Sequence, residues 1–412
     1  MKFLFIAHRI PFPPNKGDKI RSFHELKFLA GLGEVYLAAL VDEPKDFSFE
    51  KELRTFCKEV FLVPINSKIK KIISTIGLLS KQPMSVIYFY ERSLQEQIDN
   101  ILDDEHFDAI FCFSSTTAEY IFRSRHRFSK KEKSSVKLIM DFCDVDSCKW
   151  ADYASSQKWP LSFVYRQEGQ LLKDYEYRVA KTFDYSILIS SRERILFENV
   201  HGKMNNVVEI GNGVDLDYFN PKFDGSEQTT TCHSFEIIFT GAMDYYVNIE
   251  GVLWFVEDIW PLIKKKCPQA YFTIVGSNPV PDIVKLNGKN DIGVTGFVDD
   301  IRPYYRRAVI CVAPLRIARG VQNKVLEAMA MSKAVICTGN AFEGINAVLD
   351  RDILVRDVPV EFAQAVVDLI ENPSKRLKLE KNSRNCVEKN YQWDTNLSLL
   401  HELVLSENRL GV

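Results

Sequence analysis

Short apolar runs alternate with longer stretches of mixed polarity along the whole chain. In the first half these runs are apolar at nearly every position, which is typical of parallel strands buried on both faces. The stretches between them, such as 94–104 and 166–180, repeat apolar residues at helical spacing with charges on one side. The pattern predicts a doubly wound α/β domain. Its strands are predicted at Lys2–Ala7, Val35–Leu40, Val60–Pro64, Ala109–Phe113, Lys137–Asp141, Tyr185–Ser190 and Val207–Ile210.

A second series of the same kind follows a turn-rich segment. Residues 211–234 are rich in Gly, Asn and Thr, and this composition predicts a hinge between two domains, 1–211 and 212–390. We expect two Rossmann-like halves that face each other across a cleft. Ligands of such sheets bind at the carboxyl ends of the strands, so the loops leaving the strands are the candidate sites. The second set of strands is predicted at Glu236–Thr240, Ala270–Val275, Ile292–Gly296, Val309–Ala313, Val335–Thr338 and Ile353–Val355.

The charge balance narrows the class of ligand. The chain has 412 residues, with 53 Lys and Arg against 55 Asp and Glu, and its formal net charge is −2. Because both signs are scattered along the chain, a broad electrostatic surface for nucleic acid is not expected. An anionic ligand must therefore be held locally. The 46% of hydrophobic residues is enough for each half to bury a core.

The cysteines and the apolar segments indicate in which cellular compartment the protein is expected. The nine cysteines are an odd number, and several, such as Cys112 and Cys311, lie inside apolar runs, as expected for core residues in a reducing compartment. Cys143 and Cys148 have no second pair at zinc spacing, so no metal site is predicted. The N-terminal apolar run ends at His8, too early for a signal peptide, and no run reaches about 18 apolar residues. We expect a cytoplasmic protein without a membrane-spanning helix.

The loop after the first predicted strand is a candidate anion site. Gly17 lets the backbone approach an anion at a helix N-terminus, while Lys16, Lys19 and Arg21 supply positive charge. The alternative is an ordinary strand-to-helix turn with exposed lysines. The residues themselves favour neither interpretation.

Three carboxylates lie at the end of the predicted strand 137–141: Asp141, Asp144 and Asp146. In extended backbone Asp144 and Asp146 share a face, so they can hold a divalent cation, or act as base and hydrogen-bond acceptor toward a polar substrate. The alternative is that they cap the following helix. Three acids at one strand end repel each other unless something compensates, which favours a functional role.

The loop after the predicted strand 309–313 carries the strongest candidate site. Arg316, Arg319 and Gly320 lead directly into a predicted helix. Open N–H groups, the helix dipole and cationic side chains in one short segment make a diphosphate site. Glu327, just over one turn into the helix, is placed to accept hydrogen bonds from vicinal hydroxyls such as those of a ribose. An ordinary amphipathic helix would explain the apolar residues but not the loop. The candidate binding residues here are Arg316, Arg319, Gly320, Val321, Gln322, Lys324 and Glu327.

At these residues the sequence resembles a known family. Gly320, the run Lys-Val-Leu-Glu-Ala-Met-Ala at 324–330 and the run Lys-Ala-Val-Ile-Cys-Thr at 333–338 resemble the donor-site signature of family 4 retaining glycosyltransferases of the GT-B fold. Residues 239–244 and 144–147 further resemble sugar transferases found in bacterial exopolysaccharide gene clusters. The agreement spans nearly the whole chain, through the Gly17 loop, 211–215, 219–221, 239–241, 295–300 and 391–393.

The resemblance implies transfer of a hexose from a UDP- or GDP-linked donor, with retention of anomeric configuration and without an essential metal. Cationic and backbone donors, Gly241 among them, would stabilise the departing diphosphate, and Glu327 would bind the ribose. The first domain would hold a glycan or lipid-linked glycan acceptor of surface or exopolysaccharide synthesis, with Asp144 or Asp146 orienting its hydroxyl. Residues 391–412 would return to that domain as a helix.

Two departures from the family pattern lie in the candidate donor site. Arg319 stands where the family has the first acid of its Glu-x₇-Glu motif, and residues 241–248 lack the usual Arg and Lys. We therefore predict that Arg319 and Lys324, together with Arg316, neutralise the diphosphate instead.

Residues 68–81 place apolar side chains at helical spacing beside lysines. A basic amphipathic helix of this kind can lie on an anionic leaflet, which would place the protein at the periphery of the inner membrane and suit a lipid-linked acceptor. The alternative is a helix that flanks the acceptor and packs on the core.

Other functions share parts of these patterns. A nucleotide-sugar epimerase or a phosphorylase can have the same two-domain architecture, and a catalytically inactive scaffold is compatible with Arg319. A metal-dependent GT-A transferase would leave the second half unexplained. A nicotinamide dehydrogenase needs G-x-G-x-x-G after its first strand, where only Gly17 is present. A solute-binding protein would be expected to carry a signal peptide.

Overall fold

The computed structural model describes residues 1–74, 81–126, 128, 136–222, 235–318 and 320–406. The chain forms two compact units. Unit 1 comprises Met1–Gly211 and Leu397–Val412, and unit 2 comprises Asn212–Asn396.

Unit 1 is built on a parallel seven-stranded sheet in the order β3-β2-β1-β4-β5-β6-β7. The central strands are buried on both faces, and every residue of β4 is inaccessible to solvent, which explains the continuous apolar runs. The strands are β1 Lys2–Ala7, β2 Glu34–Val41, β3 Glu59–Pro64, β4 Ala109–Phe113, β5 Lys137–Cys143, β6 Tyr185–Leu188 and β7 Val207–Glu209.

The helices of unit 1 connect these strands. Ser190 accepts the backbone N–H of Glu193 at 3.2 Å and so caps the helix that follows β6. The helices are α1 Gly17–Leu32, α2 Glu50–Leu53, α3 Ser67–Ser74, α4 Met84–Tyr88, α5 Arg92–Asp104, α6 Ala118–Phe122, α7 Asp146–Ser156, α8 Leu161–Thr182 and α9 Ser191–His201, with 3₁₀ turns at Pro44–Phe49 and Ser115–Thr117.

Unit 2 repeats the architecture with a parallel six-stranded sheet in the order β10-β9-β8-β11-β12-β13. Its strands are β8 Phe235–Thr240, β9 Ala270–Val275, β10 Ile292–Val294, β11 Ile310–Ala313, β12 Ala334–Cys337 and β13 Leu354–Val355. Its helices are α10 Tyr246–Trp254, α11 Trp260–Lys266, α12 Pro281–Val284, α13 Arg302–Arg307, α14 Asn323–Ala330, α15 Gly339–Phe342, α16 Pro359–Glu371 and α17 Pro373–Asn390, with a π-helical segment Phe255–Ile259.

The last helix, α18 Trp393–Leu405, starts in unit 2 and belongs to unit 1 from Leu397 onward. In unit 1 the Lys137 ammonium donates to the Val404 carbonyl at 2.5 Å. The predicted return started at residue 391, but Tyr391 packs in the core of unit 2.

The predicted fold class is confirmed: both halves are doubly wound parallel sheets, and each predicted strand lies within two residues of an observed one. Over the residues that the structure describes, no helix is both long and apolar enough to cross a bilayer.

The strand order fixes where each sheet can bind a ligand. In unit 1, β1 lies between β2 on one side and β4 on the other. In unit 2, β8 lies in the same way between β9 and β11. Ligands of open α/β sheets bind outside the carboxyl ends of the strands at such a switch point. The loops after β1 and β4 and after β8 and β11 are therefore the places to look for a site.

Candidate active site

The carboxyl ends of β8 and β11 in unit 2 carry the main candidate site. The loop after β8 starts at Gly241, and the loop after β11 leads to Lys324 in the first turn of α14. A Cβ atom placed on Gly241 would lie 2.9 Å from Lys324 Nζ, so the loop backbone and the ammonium group are in direct proximity. The structure thus brings together two segments that are more than 80 residues apart in the sequence.

Asn248 holds Lys324 in this position. The Lys324 ammonium donates to Asn248 Oδ1 at 2.5 Å, and Asn248 Nδ2 donates to the Ala242 carbonyl at 2.8 Å. Burial lowers the pKa of Lys324 to about 7, although the charge of Glu327 opposes the shift. Asn248 was not predicted as a site residue, because a neutral amide carries no sequence signal of a cation held beside it.

Glu327 lies next to Lys324 on α14. The hydroxyl group of Tyr305 donates to Glu327 Oε2 at 3.1 Å and lies 2.9 Å from Thr240 Oγ1. Burial raises the pKa of Glu327, while the Tyr305 hydrogen bond and the Lys324 charge oppose this shift. The result is a positioned carboxyl group beside the ammonium group, which can accept hydrogen bonds from hydroxyls of a ligand.

Gly320 shapes the approach to α14. Its φ of +65° lies in the left-handed region that favours glycine, and Gln322 Nε2 donates to its carbonyl at 3.2 Å. Gln322 is the N-cap of α14, and Val321 lies beside Gly344. The N–H groups at the start of such a helix favour an anion, although here the Val325 N–H already donates to the Gln322 carbonyl at 2.9 Å. Arg319 lies outside the described residues.

Arg316 has a different partner from the expected one. Its Nε donates to Glu250 Oε1 at 2.6 Å, and its guanidinium group lies 5.2 Å from the centroid of the Trp254 ring. The use of Arg316 for a diphosphate stays a prediction, and a diphosphate would compete with Glu250 of α10 for its half-exposed guanidinium group. That pairing joins residues 66 positions apart and was not visible in the sequence.

The loops after β8 and β9 pack backbone against backbone. A Cβ atom on Gly276 would lie 1.7 Å from the Gly241 carbonyl oxygen, and the Gly241 N–H donates to the Val275 carbonyl at 3.0 Å. Beyond β10, Gly296 has a φ of +71° and is followed by Phe297, whose side chain is 68% exposed. Gly276 was not singled out in the sequence, and Phe297 belongs to the segment 295–300 of the family resemblance but was given no role there.

In unit 1 Asp146 is the first residue of α7 and lies by the loop after β4. Its Oδ2 accepts a hydrogen bond from Ser115 Oγ at 3.2 Å. Burial raises the pKa of Asp146 to about 6, with the charge of Lys149 opposing the shift. Asp144, two residues earlier, is half-buried. The two predicted catalytic carboxylates therefore lie together at the carboxyl end of β5.

The alternative that these aspartates cap α7 does not hold. The N-cap residue is Val145, and no side chain caps the helix there. The backbone N–H of Ser147 donates instead to Glu176 of α8 at 2.8 Å. The carboxylates of Asp144 and Asp146 are thus not used as helix caps.

The third acid of this group, Asp141, has a structural role. Arg21 Nε donates to Asp141 Oδ2 at 2.7 Å, and both side chains are fully buried. Burial alone would raise the pKa of Asp141, but the Arg21 charge holds it below its ordinary value. Arg21 of α1 therefore compensates the charge of Asp141, one of the three neighbouring acids, and its guanidinium group is held by Asp141 and Glu25.

The predicted anion site at the Gly17 loop is corrected in the same way. Lys19 is 2% exposed and its ammonium lies 2.5 Å from Asp46 Oδ2, while Lys16 pairs with Glu43 at 2.8 Å. Gly17 is exposed as the first residue of α1. The partners of both lysines follow β2 in the sequence, and only the sheet brings them next to this loop. Lys19 is therefore not a candidate for binding a ligand.

His8 follows β1 at the switch point of unit 1 and was not predicted as a site residue. Its ring is stacked on Phe113, with centroids 5.9 Å apart, and its Nε2 lies 3.4 Å from Asp18 Oδ2. Burial alone would raise the pKa of Asp18. The hydrogen bond and charge of His8, together with the charge of Arg9, outweigh burial and lower this pKa. This polar group beneath the loop after β1 fixes the start of α1.

The basic amphipathic segment is only partly covered by the structure. α3 spans Ser67–Ser74, and residues 75–80 lie outside the described residues. Two of its isoleucines remain exposed, Ile69 at 52% and Ile73 at 40%. Lys70 pairs with Glu91 at 3.1 Å. This helix thus keeps part of its apolar surface in solvent.

Metal and disulfide chemistry find no support in the described residues. Within them no group of three or more His, Cys, Asp and Glu side chains is placed to hold a metal ion. The eight cysteines among them are unbridged.

Comparison with known proteins adds to this geometry. Residues 234–372 match the family model described as "Glycosyl transferases group 1". An uncharacterized 44.6 kDa protein in the cps region of Klebsiella pneumoniae is 20% identical over 403 residues, which cover 95% of this chain and 96% of that protein.

Solved structures resemble the chain over its full length. Sucrose-phosphate synthase from Thermosynechococcus elongatus has a TM-score of 0.71 at 16% identity and 98% coverage of both chains. A glycosyltransferase from Rickettsia africae has a TM-score of 0.66 at 17% identity and 99% coverage of both. HepE of Anabaena in complex with UDP-glucose has a TM-score of 0.65 at 14% identity and 98% coverage of both. The chain therefore has the GT-B fold, and the matched segment supports a glycosyltransferase.

Proposed function

We propose that this protein is a retaining glycosyltransferase that moves a sugar from a nucleotide-diphosphate donor to a glycan or lipid-linked glycan acceptor. The observation that carries the proposal is the group formed by Lys324, Glu327 and the Gly241 backbone at the switch point of unit 2. This group lies within the segment that matches the group 1 glycosyltransferase model.

The diphosphate of the donor would bind between the Gly241 loop and the first turn of α14. Lys324 supplies an ammonium group. Among the described residues, its hydrogen-bond partner is the neutral amide of Asn248, not a carboxylate. Negative charge grows on the diphosphate as the glycosidic bond breaks, and a fixed ammonium beside open N–H groups stabilises that charge without a metal. Glu327 would accept hydrogen bonds from the ribose hydroxyls.

Arg319 would add a second positive charge from the loop before Gly320. It replaces the first acid of the family motif, and residues 241–248 contain no Arg or Lys. With Arg316 paired to Glu250, the proposed neutralisation of the diphosphate rests on Arg319 and Lys324. UDP-linked sugars are the first donors to test, because HepE binds UDP-glucose in a structure of similar fold.

The acceptor would bind to unit 1, with Asp144 or Asp146 orienting its hydroxyl group. A pKa of about 6 leaves Asp146 ionised at neutral pH and able to accept a hydroxyl hydrogen bond. The relative in a cps region supports an acceptor of exopolysaccharide synthesis. Full turnover by both Asp144→Asn and Asp146→Asn variants would remove this role.

A cytoplasmic enzyme at the inner membrane surface would suit a lipid-linked acceptor. The exposed isoleucines of α3 and the exposed Lys68 support contact of this helix with an anionic leaflet.

The proposal is tested by thermal stabilisation with UDP, GDP and their hexose conjugates. We expect one nucleotide to raise the melting temperature, and Lys324→Ala and Arg319→Ala each to weaken its binding about 10- to 100-fold, as expected for loss of a charge-assisted contact. Lys285→Ala, an exposed lysine of unit 2, is the control and should bind like the wild type.

The products distinguish the remaining alternatives. Transfer of the sugar to an acceptor supports the proposal, and conversion of the donor sugar without acceptor would indicate an epimerase. Absence of nucleotide binding and of transfer would overturn the proposal in favour of a scaffold. Binding as tight as that of the wild type by both Lys324→Ala and Arg319→Ala would refute the roles given to these two residues.

A further inference from the structure

An exposed apolar segment in unit 1, residues 157–163, comprises the connection between α7 and α8 and the first turn of α8. The side chains of Trp159, Phe163 and Leu161 are 82%, 59% and 48% exposed. Scattered single apolar residues are normal on a protein surface, but three large ones within five positions form a local patch. Such a patch costs free energy in water unless something covers it.

The segment rests on a packed aromatic base. The Trp150 ring lies 5.0 Å from the Tyr165 ring and 5.9 Å from the Tyr153 ring, measured between centroids. Trp150 and Tyr153 lie on α7 and Tyr165 lies on α8, and all three side chains are half-buried. These rings thus pack on one another between the two helices, while Trp159, Leu161 and Phe163 stay exposed.

Two exposed cations lie in or next to the segment, Lys158 and Arg166. The acids just outside it are Asp152, which is exposed, and Glu168, which is buried and accepts backbone N–H groups of α4. Cations near an anionic lipid surface are attracted to it. Exposed apolar side chains next to cations match the interface of an anionic bilayer, where Trp is also favoured.

A second exposed apolar surface belongs to a neighbouring element. Glu168 of α8 accepts the N–H groups of Met84 at 2.7 Å and Ser85 at 2.9 Å, which fixes the start of α4 against α8. α4 in turn packs against α3, which exposes Ile69 and Ile73. The segment 157–163 and α3 are thus connected through α4 within unit 1.

We propose that Trp159, Leu161 and Phe163 enter the interface of a lipid bilayer that carries anionic lipids, with Lys158 and Arg166 at the level of the headgroups. The segment 157–163 is a docking surface separate from the amphipathic helix, and it carries the aromatic anchor. Binding to vesicles is measured without donor or acceptor. Failure of this proposal can therefore be distinguished from failure of the proposed glycosyltransferase function.

The fluorescence of Trp159 tests the proposal directly. The chain has five Trp, of which Trp254, Trp260 and Trp393 are buried and Trp150 is partly buried, so Trp159 is the one that solvent reaches freely. With full-length protein and vesicles of phosphatidylcholine and phosphatidylglycerol at 3:1, we expect a blue shift of the emission and protection from acrylamide. Flotation of the same mixture measures the bound fraction.

Three variants define the outcome. Replacing Trp159, Leu161 and Phe163 together with Ser should lower vesicle partitioning about tenfold or more, as expected for loss of three inserted side chains. Lys158→Gln with Arg166→Gln should reduce the difference between anionic and neutral vesicles, and the lysines of α3 would account for what remains. Leu377→Ser, which changes a 60% exposed residue of unit 2, is the control and should bind like the wild type.

The proposal fails if the wild-type protein does not float with anionic vesicles, or if the triple Ser variant binds equally well. Concentration-dependent dimerisation that the triple variant abolishes, without vesicle binding, would overturn it in favour of a second copy of the chain as the occupant. Circular dichroism of the triple variant, expected to match the wild type, excludes misfolding as the cause of lost binding.

Discussion

Lys19 is buried and Lys324 is half-buried, and the partner of each lysine decides what it can do. Lys19 lies 2.5 Å from the Asp46 carboxylate, which neutralises its charge inside unit 1. Lys324 donates to the Asn248 amide, which satisfies one N–H bond but supplies no negative charge. An anionic ligand would therefore be stabilised much more by Lys324 than by Lys19. In the sequence, both lysines follow a strand and a glycine-bearing loop.

The depressed pKa of Lys324 predicts a pH dependence of nucleotide binding. With a pKa of about 7 the ammonium form prevails below pH 7 and is lost as the pH rises through that value. Because a diphosphate binds the ammonium form, we expect UDP affinity to fall about tenfold or more between pH 7 and pH 9. Isothermal titration calorimetry in buffers of constant ionic strength measures this change.

The Lys324→Met variant provides the comparison for that profile. It should bind UDP weakly and with little change over the same pH range, while Lys285→Met should follow the wild type. An equally steep loss of affinity in Lys324→Met would assign the pH dependence to another group.

The buried pair of Arg21 and Asp141 predicts a large effect on stability. Arg21→Met leaves the Asp141 carboxylate buried without its charge partner, and unit 1 should lose about 3 to 5 kcal/mol. The double variant Arg21→Met with Asp141→Asn should recover part of this loss. Urea unfolding measures both, with Arg54→Met as the control because Arg54 pairs with Glu50 on the surface. Equal losses in Arg21→Met and Arg54→Met would contradict the structural role.

At the level of elements, parallel strands determine which loops meet. The strands were predictable because β1, β4, β8 and β11 are buried on both faces and therefore continuously apolar. The strand order was not predictable in the same way, because every strand carries the same pattern. Only the order places the loop after β8 beside the loop after β11 and so gives Lys324 its position over Gly241.

The close contact between the loops after β8 and β9 predicts that Gly276 tolerates no side chain. In Gly276→Ala the new Cβ would lie 1.7 Å from the Gly241 carbonyl oxygen, so the donor-side loop must shift. We expect a loss of about 3 kcal/mol in the stability of unit 2, together with weaker nucleotide binding. Thermal unfolding and UDP titration measure the two effects.

Gly288→Ala separates steric conflict from backbone strain. Gly288 has a φ of +75° but no atom within 4 Å of its Cβ position, so its replacement should cost only about 1 kcal/mol. If Gly276→Ala is no more harmful than Gly288→Ala, the close packing of the two loops is wrong.

For the whole molecule, the C-terminal helix is part of the first unit. Leu397 and Leu400 of α18 are buried, and Lys137 of β5 donates to the Val404 carbonyl at 2.5 Å. A chain that ends at Asn396 would expose apolar side chains of unit 1 and leave the Lys137 ammonium without this acceptor. We therefore expect the truncated protein to lose about 5 kcal/mol or more of unit 1 stability.

Hydrogen exchange locates that loss. Protection of β5 and β6 in unit 1 should fall strongly in the protein truncated at Asn396, while β8 and β11 of unit 2 should stay protected. A chain that ends at Ser406 retains the contacting residues and serves as the control. Unchanged protection of β5 would show that α18 contributes little to unit 1.

The sequence alone determined the two α/β halves, their strands and the boundary region near residue 211, because burial on both faces leaves a continuous apolar pattern. It also singled out Lys324 and Glu327 as candidate binding residues, since a glycine-bearing loop before a helix is a local signal. The tertiary structure decided which charged residues pair with other residues of the protein. Lys19, Arg21 and Arg316 meet carboxylates from distant segments, and Lys324 meets Asn248, because pairing between residues far apart in the chain has no local pattern.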